Sequence, residues 1–246
     1  MEAIRHEFSQ VRLIESGRNL GYTAGVNVGV VLAKGDYLLI LNPDTTIAPG
    51  AVATMAQLLA RDPSAGVVAP KLVFAGGALQ PSRRRFPTIA TLFLESTPLG
   101  RLSGMQRLLR RFYCGDTSPA HVQEVDWAYG ACLLVRQQAL AEVGGMDTTF
   151  FMYSEEVDLC RRLKQLGWQV VYEPAAVVMH HEGKSSEQAP MASLLHFNRS
   201  KMLYARKYFG EAMAELLRLR LLALFAWQAT VAGVKFMLGH RRDLRA

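Results

Sequence analysis

The sequence predicts an α/β fold in which a mostly parallel sheet is flanked by helices. Asp36–Leu41 (DYLLIL) is a continuous apolar run, which is typical of a strand buried on both faces of a parallel sheet. Strand-like and helix-like segments alternate along the first part of the chain. Half of the 246 residues are hydrophobic, which is enough to form a core and excludes a low-hydrophobicity disordered chain.

The elements of the first part follow one another in short steps. Val11–Ile14 is predicted to form a short strand, and residues 17–35 a glycine-containing loop followed by a helix. Residues 50–61 have helical spacing after a Pro-Gly start, and Ala65–Ala69 is predicted to be the next strand. Ligands of α/β sheets bind beyond the carboxyl ends of the strands, so Asn42–Thr45, directly after the first buried run, lies where a site is expected.

The second part begins with a change of character. Residues 74–118 are rich in Pro, Gly and Arg, and they predict a long, partly helical excursion over the active face. The later elements are predicted to be a strand, two helices, a strand and a helical C-terminal region, at 125–135, 136–143, 155–166, 168–172 and 193–246. We therefore expect a body at residues 1–192 and a helical, membrane-associating extension at 193–246.

Positive charge is concentrated near the C-terminal end. Basic and acidic residues number 18 each in residues 1–198, whereas residues 199–246 contain 10 basic and 3 acidic residues. A second basic group, seven side chains against Glu95 alone, lies in residues 81–111 and predicts a loop that faces phosphate or a membrane. In the C-terminal region, leucine and aromatic residues recur at helical spacing: Leu216, Leu219, Leu222 and Phe225. This pattern favours an anionic membrane surface as the partner, and we expect no nucleic-acid binding.

Three features bear on the compartment. The chain has three cysteines and no C-x-x-C pair, which favours a reducing cytosol. The first fifteen residues lack the unbroken apolar stretch of a secretory signal. The uncharged residues 221–234 fall short of the ~20 residues that a spanning helix needs. An interfacial or core helix is therefore predicted there, and a cytoplasmic protein peripheral to the inner face of the cell membrane.

Asp44 is the first candidate for chemistry. It follows an apolar strand and the stiff Asn42-Pro43 pair, where a carboxylate is well placed to hold a hard divalent cation such as Mg²⁺ or Mn²⁺. An ordinary aspartate in a turn explains the same residues, so the pattern alone leaves both interpretations open.

The second candidate is an acidic group at a predicted helix start, made of Glu155, Glu156 and Asp158. It follows aromatic residues at 150–153, and carboxylates crowded beside aromatic walls have the perturbed proton affinity that suits a general base. Acids in a first helical turn also complement the helix dipole, with Ser154 as N-cap, and this structural explanation stays open.

Two further patterns are weaker. His180 and His181 end an apolar stretch, where a histidine can be a metal ligand, a phosphate contact or a structural residue. Gly21, Gly25 and Gly29 form a glycine-rich turn into a helix whose first amides could hold a phosphate or sugar, although helix packing explains such glycines equally well.

Taken in order, these elements resemble the family 2 glycosyltransferases, in particular the bacterial branch that contains rhamnosyltransferases. The matching segments extend over residues 11–209. They are Asn19-Leu20-Gly21-Tyr22, Ala24-Gly25-Val26-Asn27, Gly35-Asp36-Tyr37, Leu41-Asn42-Pro43-Asp44-Thr45, residues 80–87 (QPSRRRFP), Trp127, Gly130-Ala131, Gly144-Gly145-Met146-Asp147, residues 150–153 (FFMY), residues 155–160 (EEVDLC), Arg162, Gly167-Trp168, Pro174, His180, Gly183 and Ser185.

The resemblance implies a GT-A fold, a Rossmann-like sheet that binds a nucleotide-sugar, and an inverting transfer. Asp44 matches the second aspartate of the family's D-x-D-like motif, which holds Mg²⁺ or Mn²⁺ against the donor diphosphate, while Asn42 stands at the first. His180 matches a histidine near that diphosphate and is expected to join the metal site. The remaining roles the resemblance implies are nucleotide-sugar binding by Asn19, Gly25, Asn27, Asn42 and Asp44, and an acceptor and sugar site with Trp127, Gly130 and Asp158.

Two departures from the family pattern modify the expectation. Glu156 stands where the family usually has the aspartate that acts as general base, and because the extra methylene moves the carboxylate, Glu155 is a competing candidate. The family's first strand, which holds the nucleotide base and ribose, is missing before Asn19.

We therefore expect transfer of a sugar, with dTDP-rhamnose favoured as donor, to a lipid-linked or cell-wall glycan. The alternative is a catalytically impaired, membrane-associated homologue or fragment.

Overall fold

The computed structural model describes residues 2–95, 102–181 and 190–237. In chain order the elements are α1 (Glu2–Glu7), α2 (Tyr22–Leu32), β1 (Tyr37–Leu41), β2 (Thr45–Ile47), α3 (Ala51–Arg61), β3 (Ala65–Val73), β4 (Arg83–Arg84), α4 (Ile89–Leu94), α5 (Ser103–Phe112), β5 (Gln123–Val125), β6 (Trp127–Ala128), β7 (Cys132–Arg136), α6 (Gln137–Glu142), α7 (Glu155–Gln165), β8 (Gln169–His180), α8 (Pro190–Phe209) and α9 (Glu211–Met237).

The sheet is mixed rather than mostly parallel. Its strand order is β1-β7-β3-β8-β2, and β5 also pairs with β8. Only β3 and β8 run parallel among the strands that the structure describes. The expectation of an α/β sheet flanked by helices is confirmed. The expectation that its strands are mostly parallel is wrong, because β7 pairs antiparallel with β1, with Cys132 opposite Leu41. The chain thus enters β7 at the carboxyl end of β1 and must run back antiparallel to it.

Two apolar clusters cover the two faces of this sheet. One contains Phe150, Leu159 and Leu163 from around α7, together with Val67 and Val135 of the sheet. The other packs α3 against the opposite face through residues such as Met55 and Leu59, both of which are fully buried. This two-sided burial explains the continuous apolar runs of β3 and β7.

Val11–Ile14 does not form the strand predicted for it. The segment is irregular, and its ends remain exposed, with 51% of Val11 and 42% of Ile14 accessible. A four-residue segment gains little from an extended conformation unless a neighbouring strand pairs with it. Among the described strands, β1 pairs only with β7, so β1 forms one edge of the sheet.

Strand β8 is longer than predicted and continues through Pro174 to His180. Its pairing with β3 shifts register between Pro70 and Lys71, where Glu173 and Val177 are the successive partners. A bulge of this kind accommodates a residue that cannot donate to the ladder, so proline does not end the strand.

The excursion at residues 74–118 is partly helical, as predicted. The expected phosphate-facing or membrane-facing surface excludes Arg83 and Arg84, whereas it stays a prediction for Arg107, Arg110 and Arg111, which are exposed on α5. Arg83 and Arg84 lie in the short β4–β6 ribbon and are 8% and 5% exposed. Arg83 is enclosed by hydrogen-bond acceptors, which include Thr117 and Gln123. Arg85 stays near the surface and pairs with Asp116 at 3.1 Å. Buried guanidinium groups here act as internal donors, so local charge does not predict exposure.

The C-terminal region forms two helices that meet at Gly210, whose φ of 88° ends α8 in the left-handed conformation that glycine tolerates. Tyr204 of α8 is 1% exposed and belongs to the larger sheet cluster. Helix α9 is 27 residues long and has the length and composition of a membrane-crossing helix. The length predicted from the uncharged run 221–234 was therefore too short, because the helix extends beyond that run at both ends.

Candidate active site

The first part of the site is a carboxylate and an imidazole at one edge of the sheet. Strands β2 and β8 are antiparallel, and Thr45 pairs with His180. This register places the His180 Nε2 atom 3.5 Å from Oδ1 of Asp44. The backbone N–H of His181 also donates to the Asp44 carbonyl at 2.9 Å. Both side chains keep a small accessible fraction, 11% for His180 and 17% for Asp44, so a ligand can reach them.

Gln80 supports the histidine from behind. Its Oε1 lies 3.2 Å from Nδ1 of His180, and the residue is 2% exposed. When Nδ1 carries the proton and donates it to Gln80, Nε2 presents a lone pair toward the Asp44 carboxylate. Nε2 of His180 and Oδ1 of Asp44 are then both hydrogen-bond acceptors that face each other. A cation between them would make this arrangement favourable. Supporting contacts of this kind commonly orient metal-binding histidines.

The donor set fits a hard divalent cation bound together with substrate. Mg²⁺ and its relatives in nucleotide enzymes take one or two carboxylates and complete their shell with phosphate oxygens and water. Across residues 2–95, 102–181 and 190–237, no group of three or more His, Cys, Asp or Glu side chains forms a closed metal cage. Asp44 and His180 are thus candidates for an open, two-ligand site.

The second part of the site is a pair of carboxylates at the start of α7. Glu155 is 8% exposed, and Oε2 of both Glu155 and Glu156 is buried without a hydrogen-bond partner. An unpaired buried carboxylate oxygen is costly and calls for an explanation in a native structure. A hydroxyl group that donates a hydrogen bond would satisfy either oxygen.

The backbone just before these acids is strained. Tyr153 and Ser154 have φ values of 67° and 64°, in the left-handed region that non-glycine residues rarely occupy. Ser154 is the residue before the first helical turn, but its side chain makes no capping hydrogen bond. Its predicted role as N-cap is thus correct in position and wrong in chemistry. Such strain is retained where the surrounding structure holds a functional group in place.

Burial gives the two carboxyls unequal environments. Burial, followed by the charge of Glu156, raises the pKa of Glu155 to about 9. Burial also raises the pKa of Glu156, but backbone N–H groups, among them that of Gly130, and the Arg84 guanidinium oppose the rise. Two carboxylates this close do not both ionise readily. Burial thus favours retention of a proton by the pair, while the backbone N–H groups and Arg84 favour the ionised form of Glu156.

Arg84 is a buried cation held by neutral groups. Its guanidinium lies 4.6 Å from the ring centroids of both Tyr113 and Tyr129 and donates to the Tyr129 hydroxyl at 2.7 Å. It makes no ion pair within the described part of the chain. Because its charge is not neutralised by an adjacent carboxylate, it acts on Glu156 at longer range. The sequence analysis did not identify this residue as functional, although Arg84 stands in the QPSRRRFP motif.

One tight turn, residues 129–131, joins the two parts of the site. The Ala131 carbonyl accepts a hydrogen bond from the N–H of Asn42 at 2.9 Å, next to Asp44. Gly130 faces Glu156, whose Cβ would lie 3.4 Å from any Cβ added at that glycine. A side chain at residue 130 would press on the base. The turn therefore places the cation-binding pair and the carboxylate pair on either side of one short segment.

Tyr22 and Gly130 lie close to the carboxylates. The Tyr22 hydroxyl donates to the Gly130 carbonyl at 3.3 Å, and its pKa is raised by burial and by the charges of Glu155 and Glu156. Trp127 lies in strand β6, is 9% exposed and donates through Nε1 to the Arg85 carbonyl at 2.9 Å. The structure thus brings Gly130 to the glutamate pair, whereas the role of Trp127 in the acceptor site stays a prediction.

The residues expected to bind the nucleotide-sugar differ in whether their polar atoms are available to a ligand. Asn42 lies beside Asp44, partly exposed. Asn19 is exposed and accepts from the N–H of Gly21 at 3.0 Å. Asn27 is occupied by the backbone of Met146, accepting at 2.9 Å and donating at 2.8 Å. Gly25 lies in α2 with open space around it.

Asp158 points into the protein rather than toward the glutamate pair. It is fully buried, and its carboxylate pairs with Arg162 at 2.7 Å and Lys207 at 2.6 Å. The Tyr208 hydroxyl donates to it at 2.7 Å. Both oxygens are thus occupied, and the residue joins α7 to α8. Helical spacing alone could not distinguish it from Glu155, three positions earlier.

The loop before the glutamates also contacts α8. The rings of Phe151 and His196 stack at a centroid distance of 4.7 Å, and Tyr153 meets Phe197 edge-on at 5.7 Å. Ser200 donates to the Met152 carbonyl at 2.7 Å. The C-terminal helices are therefore anchored directly on the segment that positions Glu155 and Glu156.

A mixed sheet flanked by helices, with Asp44 and His180 at a strand end and a buried carboxylate pair at the start of α7, fits a glycosyltransferase of the GT-A type. The family model described as "Glycosyl transferase family group 2" matches residues 37–241. The chain therefore belongs to glycosyltransferase family 2.

Curated relatives place it near rhamnosyltransferases. It is 31% identical over 223 residues to the N-acetylglucosaminyl-diphospho-decaprenol L-rhamnosyltransferase of Mycobacterium tuberculosis, covering 82% of this chain and 69% of that protein. It is 29% identical over 174 residues to the rhamnosyltransferase WbbL of Escherichia coli, covering 68% of this chain and 62% of that protein. These similarities confirm the predicted family branch.

Solved structures share the fold at low identity. The mannosyltransferase PcManGT from Pyrobaculum calidifontis, solved with GDP-Man and Mn²⁺, aligns with a TM-score of 0.54 at 14% identity, covering 99% of this chain and 68% of that one. GalNAc-T7, solved with UDP, GalNAc and Mn²⁺, aligns with a TM-score of 0.52 at 16% identity, covering 73% and 34%. Both confirm the predicted GT-A fold.

Proposed function

We propose that this glycosyltransferase moves rhamnose from dTDP-rhamnose, with inversion, to a polyprenyl-diphosphate-linked glycan at the cytoplasmic face of the membrane. The observation that carries the proposal is the unpartnered, buried carboxylate pair beside the Asp44–His180 pair. An inverting transfer needs a base for the acceptor hydroxyl and a site for the leaving diphosphate, and these two features supply both.

The chemistry follows from the charges. Glu156 takes the proton of an acceptor hydroxyl, whose oxygen forms a bond to the anomeric carbon of the sugar. The bond between that carbon and the diphosphate oxygen breaks, and its electron pair leaves with the nucleoside diphosphate. Glu155 stays protonated and donates a hydrogen bond, because burial raises its pKa to about 9.

The leaving group is bound at the other side of the turn. Asp44 and His180 would hold Mg²⁺ or Mn²⁺, which when bound neutralises the charge that develops on the diphosphate. We assign Asn42 a contact with the donor, because it is partly exposed two residues before Asp44. Asn19, which precedes α2, and Gly25, within α2, are exposed and would contact the donor from that side. We assign Asn27 and Asp158 structural roles, since backbone and cationic groups already occupy their polar atoms.

Two observations support the proposed substrate classes: the names of the relatives and the contacts of α8 with the loop before the glutamates. The name of the mycobacterial relative specifies a decaprenyl-diphosphate-linked N-acetylglucosamine acceptor and an L-rhamnosyl group. An acceptor of this type is anchored in a membrane, and the aromatic contacts of α8 with Phe151 and Tyr153 connect the C-terminal helices to the base. The proposal therefore combines a polar donor site with a membrane-bound acceptor.

The test is a transfer assay with the full chain in mixed lipid and detergent. Labelled dTDP-rhamnose is compared with UDP-glucose and GDP-mannose, using polyprenyl-diphosphate-linked N-acetylglucosamine as acceptor, with and without Mn²⁺. Transfer from dTDP-rhamnose alone, giving a product of inverted anomeric configuration by NMR, is expected. A folded sample that fails to bind dTDP with Mn²⁺ by calorimetry would instead identify a catalytically impaired homologue.

A further inference from the structure

The second half of α9 extends beyond the body of the protein. Its first turns are held by Ala214, Leu217 and Leu221, which pack with Leu92 and Ala205 in a small apolar cluster. Beyond Leu221 no residue is buried through position 237. The distal segment of α9, residues 222–237, thus makes no core contact with the described part of the chain.

This distal segment is apolar on more than one face. At 100° per residue, Trp227 lies about 140° around the helix from Leu222, and Phe225 about 60° on the other side. These side chains are 67%, 55% and 38% exposed, respectively. The segment contains one charge, Lys235, and the Thr230 hydroxyl donates back to the Ala226 carbonyl at 2.9 Å. A helix without a polar face is stable inside a core or a bilayer and does not suit a position along a membrane surface.

Two other common origins of a long apolar helix, a core helix and a signal sequence, do not fit α9. A core helix would be largely buried, but only 11% of the most apolar 18-residue window of α9 is buried. A signal sequence lies near the N-terminus, whereas α9 ends at residue 237 of 246. The lipid interior is an environment that removes this surface from water, and it matches the length and composition of α9.

Arg220 marks the level at which the helix leaves the body. Its Nη2 is buried and has no hydrogen-bond partner, although a guanidinium in a protein is normally paired. Arg218, nearby on the helix, is already bound to Glu215 at 2.8 Å. Arg220 is partly exposed, so its guanidinium can turn toward a lipid phosphate, an acceptor of matching charge and shape.

We infer that the distal segment of α9 inserts into the apolar layer of the bilayer, with Arg220 at the headgroup phosphates. The inference rests on the proposed function only for the membrane location of the enzyme. It changes the mode of attachment from electrostatic contact with anionic lipid to insertion that neutral lipid supports equally well. Lys235 accommodates insertion because a long side chain can extend its ammonium group toward the polar layer.

The test is flotation of the full chain with vesicles of neutral phosphatidylcholine, followed by a 1 M NaCl wash. The wild type is expected to stay bound after the wash. Phe225→Asp should lower vesicle partitioning on the order of 100-fold, because a carboxylate in the hydrocarbon is costly. Val52→Asp on α3 is the matched control, since Val52 is 37% exposed and Phe225 38%.

A second measurement locates the helix. Trp227 fluorescence should be quenched by lipids brominated on their acyl chains, and Trp227→Phe should remove that quenching while Trp127 and Trp168 stay in the body. Release of the wild type by salt, or a dimer in which Trp227 is shielded without lipid, would overturn the inference. Calorimetric binding of dTDP in solution is independent of α9, so failure of insertion and failure of the proposed function are distinguishable.

Discussion

His180 Nε2 and Asp44 Oδ1 lie 3.5 Å apart because β2 and β8 pair in a register that sets Thr45 opposite His180. The two residues come from distant parts of the sequence and are joined only by this sheet edge. In the proposed function, this carboxylate and the imidazole supported by Gln80 hold a cation together with the donor diphosphate.

Asp44→Asn should reduce sugar transfer on the order of 10³-fold, because a metal at a phosphate leaving group supplies several kcal/mol of transition-state stabilisation. Calorimetry with dTDP should lose its dependence on Mn²⁺ in this variant. Asp116→Asn is the control, since Asp116 pairs only with the surface Arg85. Unchanged Mn²⁺-dependent binding by Asp44→Asn would remove Asp44 from the cation site.

Glu156→Gln should lower kcat by roughly 10²–10⁴-fold, the usual contribution of a general base, while dTDP binding is kept. Glu155→Gln should have a smaller effect, because an amide can still donate the hydrogen bond that we assign to the protonated Glu155. Single-turnover kinetics on both variants separates the roles. A larger loss in Glu155→Gln would assign the base to Glu155 instead.

Arg84→Gln should move the acidic limb of the pH profile of kcat/KM to higher pH. Burial already raises the pKa of Glu156 and Arg84 opposes that rise, so removal of the cation raises the pKa further. Since the base must be ionised, activity then begins only at higher pH. Arg84→Lys should partly restore the limb, and Arg85→Gln is the control. A uniform loss of activity at every pH would mean that Arg84 is only structural.

Asp158→Asn should destabilise the fold by about 3 kcal/mol, because breaking a buried ion pair leaves Arg162 without its anion and Lys207 with Asp147 as its carboxylate partner. Urea unfolding measures this loss. Asp147→Asn is the comparison, since Asp147 shares Lys207 but is partly exposed and should cost less. A loss of activity in Asp158→Asn at unchanged stability would assign Asp158 to the sugar site.

Gly21→Ala should destabilise the protein, whereas Gly25→Ala should leave it unchanged or stabilise it by up to ~1 kcal/mol through helix propensity. Gly21 has a φ of 82°, and an added Cβ would lie 2.5 Å from the Phe151 ring. Gly25, four residues later in α2, has nothing within 4 Å of an added Cβ. Thermal unfolding compares them, and equal melting temperatures would contradict the close approach of Gly21 to Phe151.

The stability of the fold at acid pH tests the ion pair between Asp147 and Lys207 of α8. Burial would raise the pKa of Asp147, but hydrogen bonds from Lys207 and Thr149 outweigh it and hold the pKa at about 2. A lowered native pKa stabilises the fold above the ordinary aspartate value, and this contribution is lost as the pH falls from about 4 toward 2. The wild type should therefore lose more stability over that interval than Asp147→Asn.

Local patterns predicted many elements correctly. Helix α3 begins after Gly50 as expected, and α7 begins at Glu155, where the acidic group stands. Predictions failed where contacts with residues distant in the sequence determine the local conformation. Val11–Ile14 has β-favouring residues but no pairing strand in the described structure, and Pro174 lies within a strand because a bulge accommodates it. Arg84 was missed as a functional residue because its burial between two tyrosines depends on the folded ribbon.

The sequence by itself determined the family, the flanked sheet and the residue types of the site, because apolar periodicity and short motifs are local properties of the chain. Only the tertiary structure decided which carboxylates are free. Glu155 and Asp158 stand one helical turn apart, yet one keeps an unpartnered buried oxygen and the other is neutralised by Arg162 and Lys207. The reason is physical: the cost of a buried charge depends on its neighbours in space, and folding places Lys207 of α8 beside the Asp158–Arg162 pair of α7.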